Sequence, residues 1–271
     1  MAFLHQDLEH VIDADSIFES VAGLTGETYR DVSNRRTMRF ETGGHGYFAK
    51  VHFGVGWREI FKELSQLRMP VLGADRELKA ITKLSDLGVA TMTPVAFDFR
   101  GFNPASIRSC IVTRELSNTT SVEDLVLSGS LTLGLKRFLI REIASIAKTM
   151  HDNGFNHRDF YICHFLVELP DEPSPRVFLI DLHRAQLRQA TPYRWIVKDV
   201  GGLFFSVFEA GLTDRDILRF MVIYRGRNLR QTLTQDKQFW RDVFIRAAKL
   251  YRQDHRDIPA QVKRLQRALF K

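Results

Sequence analysis

Two stretches constrain this chain more than any others: Asn156-His157-Arg158-Asp159-Phe160-Tyr161-Ile162-Cys163-His164-Phe165, and Phe178-Leu179-Ile180-Asp181-Leu182-His183 after it. The first aspartate follows His-Arg, and the second ends a β-like apolar run 22 residues later. In that order they read as the catalytic loop and the metal-holding strand end of a phosphoryl-transfer site. Such chemistry needs few side chains. One carboxylate orients the attacking hydroxyl, and another holds the metal that neutralises the phosphates. Taken alone, His-Arg-Asp is a run of common polar residues, and Asp at a strand end is ordinary turn chemistry. Order and spacing together favour the site.

Upstream, Tyr47-Phe48-Ala49-Lys50-Val51-His52-Phe53 puts a lysine inside an aromatic and β-branched run. Lysine is seldom buried there unless it is paired. A kinase-type strand accounts for it: the ammonium reaches nucleotide phosphates and a glutamate from the next helix holds it. Leu78, Ile81, Leu84 and Leu87 recur at helical spacing, with Glu77 at the edge of that stripe. The alternative is an edge-strand charge and a solvated glutamate. The position of both residues ahead of His-Arg-Asp favours a Lys50–Glu77 pair.

These signals predict an α+β chain with a two-lobed, protein-kinase-like fold. Residues 1–271 form a single domain, with a small antiparallel-sheet lobe to about 114 and a mainly helical lobe from about 117. Residues 28–32, 37–42 and 47–53 read as strands, with Gly43-Gly44-His45-Gly46 turning between the last two. Ser33-Asn34-Arg35-Arg36 stands where a kinase covers the phosphates. It lacks glycine, and Arg35 and Arg36 are its candidates for pairing with phosphate oxygens. Trp57, Phe61, Leu64 and Leu67 read as the packed face of a small helix, a lid or substrate surface being the alternative. Ile107 to Thr113 reads as a buried strand leading to Arg114-Glu115-Leu116-Ser117. There a kinase chain crosses between lobes and its backbone receives adenine, so Glu115 and Leu116 join the ATP-binding set. Ser121 caps a helix, and Leu135 to His151 forms a long one ended by Asn153-Gly154.

Composition agrees. A hydrophobic content of 44% and a charged content of 26% describe an ordinary globular protein. No run of 18 apolar residues predicts a membrane span, and Met1 to Asp7 lacks the pattern of a signal peptide. Cys110 and Cys163 have no metal-ligand spacing and suggest a reducing cytoplasm. The net charge is +7, and residues 241–271 hold nine Lys or Arg against three Asp. A basic helix around residues 259–267 suits an anionic membrane surface or an acidic protein, or is a solvated face. No motif and no interleaved aromatic platform supports nucleic acid.

With these residues together, the chain resembles the lipopolysaccharide core heptose kinases, a Gram-negative branch of the protein-kinase-like superfamily. The likeness rests on Ser33-Asn34-Arg35-Arg36-Thr37, Tyr47 to Lys50, Arg76-Glu77, Thr113 to Leu116, His157 to Phe165, Ile180 to Arg184 and Lys198 to Leu203. His164 in place of asparagine, with Asp-Leu-His in place of Asp-Phe-Gly, is its most specific part. The resemblance implies an ATP- and Mg²⁺-dependent sugar kinase that phosphorylates the 4-position of the first heptose of the inner-core oligosaccharide. It implies Asp159 as catalytic base or hydroxyl-orienting residue. Lys50 would bind phosphates, Asp181 would hold the metal, and His157 and Asp199 would support the loop. His164 stands at the second metal-ligand position, where an imidazole is a weaker partner for Mg²⁺ than oxygen. The same likeness places the protein in the cytoplasm, peripheral on the inner face of the cytoplasmic membrane.

No Ala-Pro-Glu segment follows Asp181, and Lys198 comes only 17 residues after it. That leaves little room for a regulated activation loop and suits a small-molecule or glycolipid kinase. The other readings are a kinase of the same fold acting on the keto-sugar acid or on protein, and an inactive nucleotide-binding scaffold.

Overall fold

Period-two alternation between Arg35 and His52 decides the first part of the fold. Met38, Phe40, Tyr47, Ala49 and Val51 are buried on one face, and Arg35, Thr37, Arg39, Phe48 and Lys50 alternate onto the other. The computed structural model describes residues 2–32, 34–65, 70–168 and 175–270. The chain divides into two units: residues 1–86, 91–117 and 182–184, and residues 87–90, 118–181 and 185–271. The boundary is therefore not a single cut near residue 115.

The first unit contains β1 (Ala2–Leu4), α1 (Ile17–Gly23), β2 (Glu27–Val32), β3 (Arg35–Thr42), β4 (His45–His52), α2 (Trp57–Ser65), α3 (Asp75–Asp86), β5 (Pro94–Arg100) and β6 (Arg108–Arg114). Its strands form one antiparallel sheet in the order β1-β5-β6-β4-β3-β2. Thr42 pairs with His45 across a two-residue turn in which Gly43 and Gly44 have φ of 57° and 77°. Both are left-handed, as the turn that matches strand twist requires. Leu8, Ile12, Ile17, Phe18 and Val21 cover the apolar face. On α3, Leu78, Ile81 and Leu84 are buried, and so is Glu77.

Two expectations change here. Arg35 and Arg36 belong to a strand rather than a loop, and Ser33, like Leu67, lies outside the described residues. The helix expected around Trp57 forms, but its apolar face is not packed: Trp57, Phe61 and Leu64 are 50%, 63% and 44% exposed. Ile60, at the edge of that stripe, is the residue buried, while Trp57 and Phe61 stack on each other. Helical spacing identifies an apolar face; it does not say whether anything covers it.

The second unit contains β7 (Thr119–Ser121), α4 (Val122–Leu127), α5 (Leu133–Asp152), β8 (Phe155–Asn156), β9 (Phe165–Glu168), β10 (Val177–Leu179), β11 (Gln186–Leu187), α6 (Tyr193–Ser206), α7 (Asp214–Arg225), α8 (Leu229–Thr234), α9 (Lys237–Asp254) and α10 (Ala260–Phe270). Ser121 and Thr132 start α4 and α5 by accepting the backbone N–H of Asp124 and Leu135, groups that otherwise have no helical partner. Aromatic rings knit the helices: Phe204 meets Phe220 and Phe244 edge-on, with centroids 5.4 and 5.3 Å apart. Trp240 beside them is completely buried. The ladders β7-β9-β10 and β8-β11 flank the loop that carries Asp159. Among the described residues, no helix is long and apolar enough to cross a membrane.

Candidate active site

In the first unit, Lys50 projects from β4 and its Nζ lies 2.6 Å from Glu77 Oε1. Glu77 is 1% exposed and Lys50 16%, so the pair expected from the sequence forms largely out of water. Strand register decides which arginine can join it. Arg35 pairs with His52 and Arg36 with Val51, so Arg35 shares the Lys50 face and Arg36 lies on the opposite one. Arg36 donates to the Ala22 carbonyl of α1, and a phosphate role beside Lys50 does not fit it. Burial first, then Arg35, Lys50 and His183, push the His52 imidazole down to about 3.

The segment expected to receive adenine is tied to the same sheet. The Glu115 carboxylate accepts Arg39 Nε and Nη2, both at 2.7 Å, and its backbone N–H donates to the Gly46 carbonyl. A Cβ on Gly46 would stand 1.7 Å from Glu115 Oε2, so only glycine lets that carboxylate lie against the strand. The Glu115 N–H is thus engaged within the protein.

In the second unit, the loop around Asp159 hangs from Asp199 on α6. Asp199 Oδ2 accepts the His157 N–H at 2.6 Å and Oδ1 accepts that of Arg158 at 2.9 Å. His157 is wholly buried, its Nε2 2.9 Å from the Ile180 carbonyl oxygen. That bond links the loop to the residue before Asp181. Arg158 and Asp181 both adopt left-handed backbone, with φ of 79° and 60°, a conformation that persists only when the surroundings impose it.

His164 connects the two aspartates. Burial works against its charge, but the Cys163 side chain, the Asp159 carbonyl and Asp181 outweigh that and raise it to about 9. Its Nδ1 donates to the Asp159 carbonyl oxygen at 2.6 Å, and Nε2 faces Asp181 Oδ2 at 3.5 Å. With Nδ1 committed to that carbonyl, Nε2 beside Asp181 is the nitrogen left to meet a metal or a carboxylate. His164 thus joins the Asp159 backbone to the Asp181 carboxylate. Asp181, 31% exposed, suits Mg²⁺, which takes one or two carboxylates and fills its shell with phosphate oxygens and water. Among the described residues, no group of three or more His, Cys, Asp or Glu side chains forms an all-protein cage. Nucleotide oxygens would complete the shell.

Sequence reasoning missed three supports of this site. His151, at the end of α5, places Nδ1 2.8 Å from the Tyr224 hydroxyl and Nε2 3.4 Å from Asp199 Oδ2. The Ser206 hydroxyl accepts the Ile162 N–H at 3.2 Å. Trp195 lies among the side chains of Arg158, Arg188, Arg194 and Lys198. A buried histidine at a helix end was a signal available in the sequence; the other two were not.

A six-stranded antiparallel sheet bearing a Lys–Glu pair, with a helical unit bearing a braced His-Arg-Asp loop and a strand-end aspartate, defines a protein-kinase-like phosphotransferase. The pattern of the lipopolysaccharide kinase (Kdo/WaaP) family matches residues 19–224, and the chain belongs to that family. It is 43% identical over 256 residues to the lipopolysaccharide core heptose(I) kinase WaaP of Escherichia coli K12, covering 92% of this chain and 97% of that protein. It is 45% identical over 247 residues to the Pseudomonas aeruginosa protein of the same description, covering 88% and 91%. A solved structure described as WaaP in complex with acyl carrier protein superposes with a TM-score of 0.79 at 39% identity, over 93% of this chain and 99% of that one.

Proposed function

We propose that this protein is an ATP-dependent sugar kinase that phosphorylates the first heptose of the lipopolysaccharide inner core, at its 4-hydroxyl. The observation that carries the reading is the tethering of Asp159 and Asp181 through His164, in a chain so similar to heptose(I) kinases. Asp159 aligns the sugar hydroxyl and accepts its proton as the oxygen–phosphorus bond forms and the bond to ADP breaks. Lys50, held by Glu77, binds nucleotide phosphates, with Arg35 on the same strand face. Mg²⁺ on Asp181 would supply neutralisation of phosphate charge. His157, His151 and Asp199 keep the loop in shape.

The retained Lys50, Glu77, Asp159 and Asp181 weigh against an inactive scaffold. A keto-sugar acid or a protein remains the alternative acceptor. Phosphate transfer to purified cores lacking inner-core phosphate, with mass spectrometry locating the new group, tests the reading. A product phosphorylated elsewhere than the first heptose would overturn it.

Two contacts extend the proposal. An acidic carrier protein is the partner we infer, since the similar solved structure holds acyl carrier protein and this chain is basic. An apolar hollow in the second unit, a cavity of about 80 Å³ lined by Val126, Leu139, Ile143, Phe204 and Ile217, suits the end of a carried acyl chain. The second contact is peripheral, on the cytoplasmic membrane face where the acceptor lipid would be presented. Its candidate is α10, whose Val262 and Leu265 are buried and whose basic residues face outward.

A further inference from the structure

Four cations crowd one indole in the second unit. The guanidinium carbons of Arg158, Arg188 and Arg194 lie 5.4, 5.8 and 5.1 Å from the Trp195 ring centroid, and Lys198 Nζ lies 4.3 Å from it. Arg246 of α9 adds a further positive charge near Lys198. Lys198, though exposed, is held below the ordinary lysine value by partial desolvation of its ammonium first, then by Arg246, Arg194 and Arg158, with Asp199 opposing them. Arg188 is held down by burial and by Arg194.

Among the described residues, Arg188, Arg194, Lys198 and Arg246 form no ion pair. Arg188 is oriented by neutral amides instead, donating to Asn156 Oδ1 and Gln186 Oε1. Asp199 is completely buried, and both its oxygens already accept loop N–H groups. One cation over an aromatic face is stabilising. Each further one adds repulsion that only an anion relieves.

The position is informative, because Arg158 directly precedes Asp159 in the loop. Guanidinium forks also match carboxylate and phosphate geometry, two hydrogen bonds at a time. We propose that Arg158, Arg188, Arg194, Lys198 and Arg246 form a subsite for an anionic group, carboxylate or phosphate, carried on the acceptor saccharide beside the hydroxyl that is phosphorylated. This rests on the sugar-kinase reading above and adds an acidic acceptor to it.

The test uses Arg194→Gln and Lys198→Gln together, since both side chains are exposed. Acceptors are the intact core oligosaccharide, the same material with its carboxylates reduced to alcohols, and a phosphatase-treated sample. The double variant is expected to raise KM for the intact acceptor by about tenfold or more, leaving kcat, KM for ATP and the melting temperature unchanged. The wild type loses a similar factor on whichever acceptor lacks the recognised group, and the variant does not distinguish the two. A merely structural cluster would lower the melting temperature without that discrimination. An unchanged acceptor KM, or a rise in KM for ATP instead, would overturn the proposal. If the wild type phosphorylates no core, the sugar-kinase reading fails. Calorimetry of oligosaccharide binding without nucleotide then still decides the subsite: weaker binding to the variant upholds it, and equal binding rejects it.

Discussion

Asp199 Oδ2 lies 2.6 Å from the backbone nitrogen of His157, and both residues are completely buried. A carboxylate that neutralises two loop N–H groups away from water sets the backbone of the residues just before Asp159. Asp199→Ala leaves both groups unsatisfied and is expected to destabilise the protein by about 2–4 kcal/mol. Urea unfolding measures the loss. Turnover should fall with it, because the loop then has several shapes. A variant as stable and as active as the wild type would remove Asp199 from its supporting role.

Asp159→Ala acts differently. Removing the carboxylate is expected to lower turnover by about 10²–10⁴, while nucleotide affinity, measured by calorimetry, stays near normal. Near-normal turnover would show that another group orients the hydroxyl.

Lys50 and Glu77 are coupled at 2.6 Å with little solvent between them. Lys50→Met leaves Glu77 buried and unpaired, at a cost on the order of 3–5 kcal/mol. Combining it with Glu77→Gln should recover much of that stability but none of the nucleotide affinity. A double-mutant cycle reads both quantities. Additive stability losses would mean that the two charges do not depend on each other.

His52 predicts an acid limb in stability. Its folded value is depressed to about 3 from an ordinary value of 6.5, so the unfolded chain binds the proton first. Its contribution is fully present above pH 6.5 and is lost as the pH falls from there toward 3. His52→Leu should flatten that stretch of the stability profile in denaturant titrations. A profile with the same slope would assign the acid limb to other groups.

The basic C-terminal helix gives a smaller effect than its charge suggests. Lys263 pairs with Asp257 at 2.8 Å and Arg264 with Asp214 at 3.6 Å, so part of the charge is already answered. Each freed Lys or Arg is worth about 1 kcal/mol at an anionic surface, screened by salt. Replacing Lys263, Arg264 and Arg267 with Gln should weaken co-sedimentation with anionic vesicles, and high salt should mimic it. Binding indifferent to both changes would discard α10 as the membrane contact.

Much of the site was legible because its signals are local in sequence. His-Arg-Asp, the strand-end aspartate and a lysine in a β-branched run each report their own surroundings, and their order implies the rest. The failures share a cause. Arg35 and Arg36 are chemically alike and adjacent, and only pairing with β4 puts one on each face of the sheet. The apolar stripe of α2 was correct as a stripe, yet no spacing rule says what lies against it.

The sequence alone determined the two-part α+β architecture, the Lys50–Glu77 partnership and the order of the two aspartates, because hydrophobic period and motif spacing act over a few residues. Tertiary structure decided the contacts of His164, which meets the Asp159 carbonyl and the Asp181 carboxylate at once. It also gathered Arg158, Arg188, Arg194 and Lys198 around Trp195, with Arg246 near Lys198. Charge interactions act through space over several ångströms, so the groups that set them lie far apart along the chain and meet only when it folds.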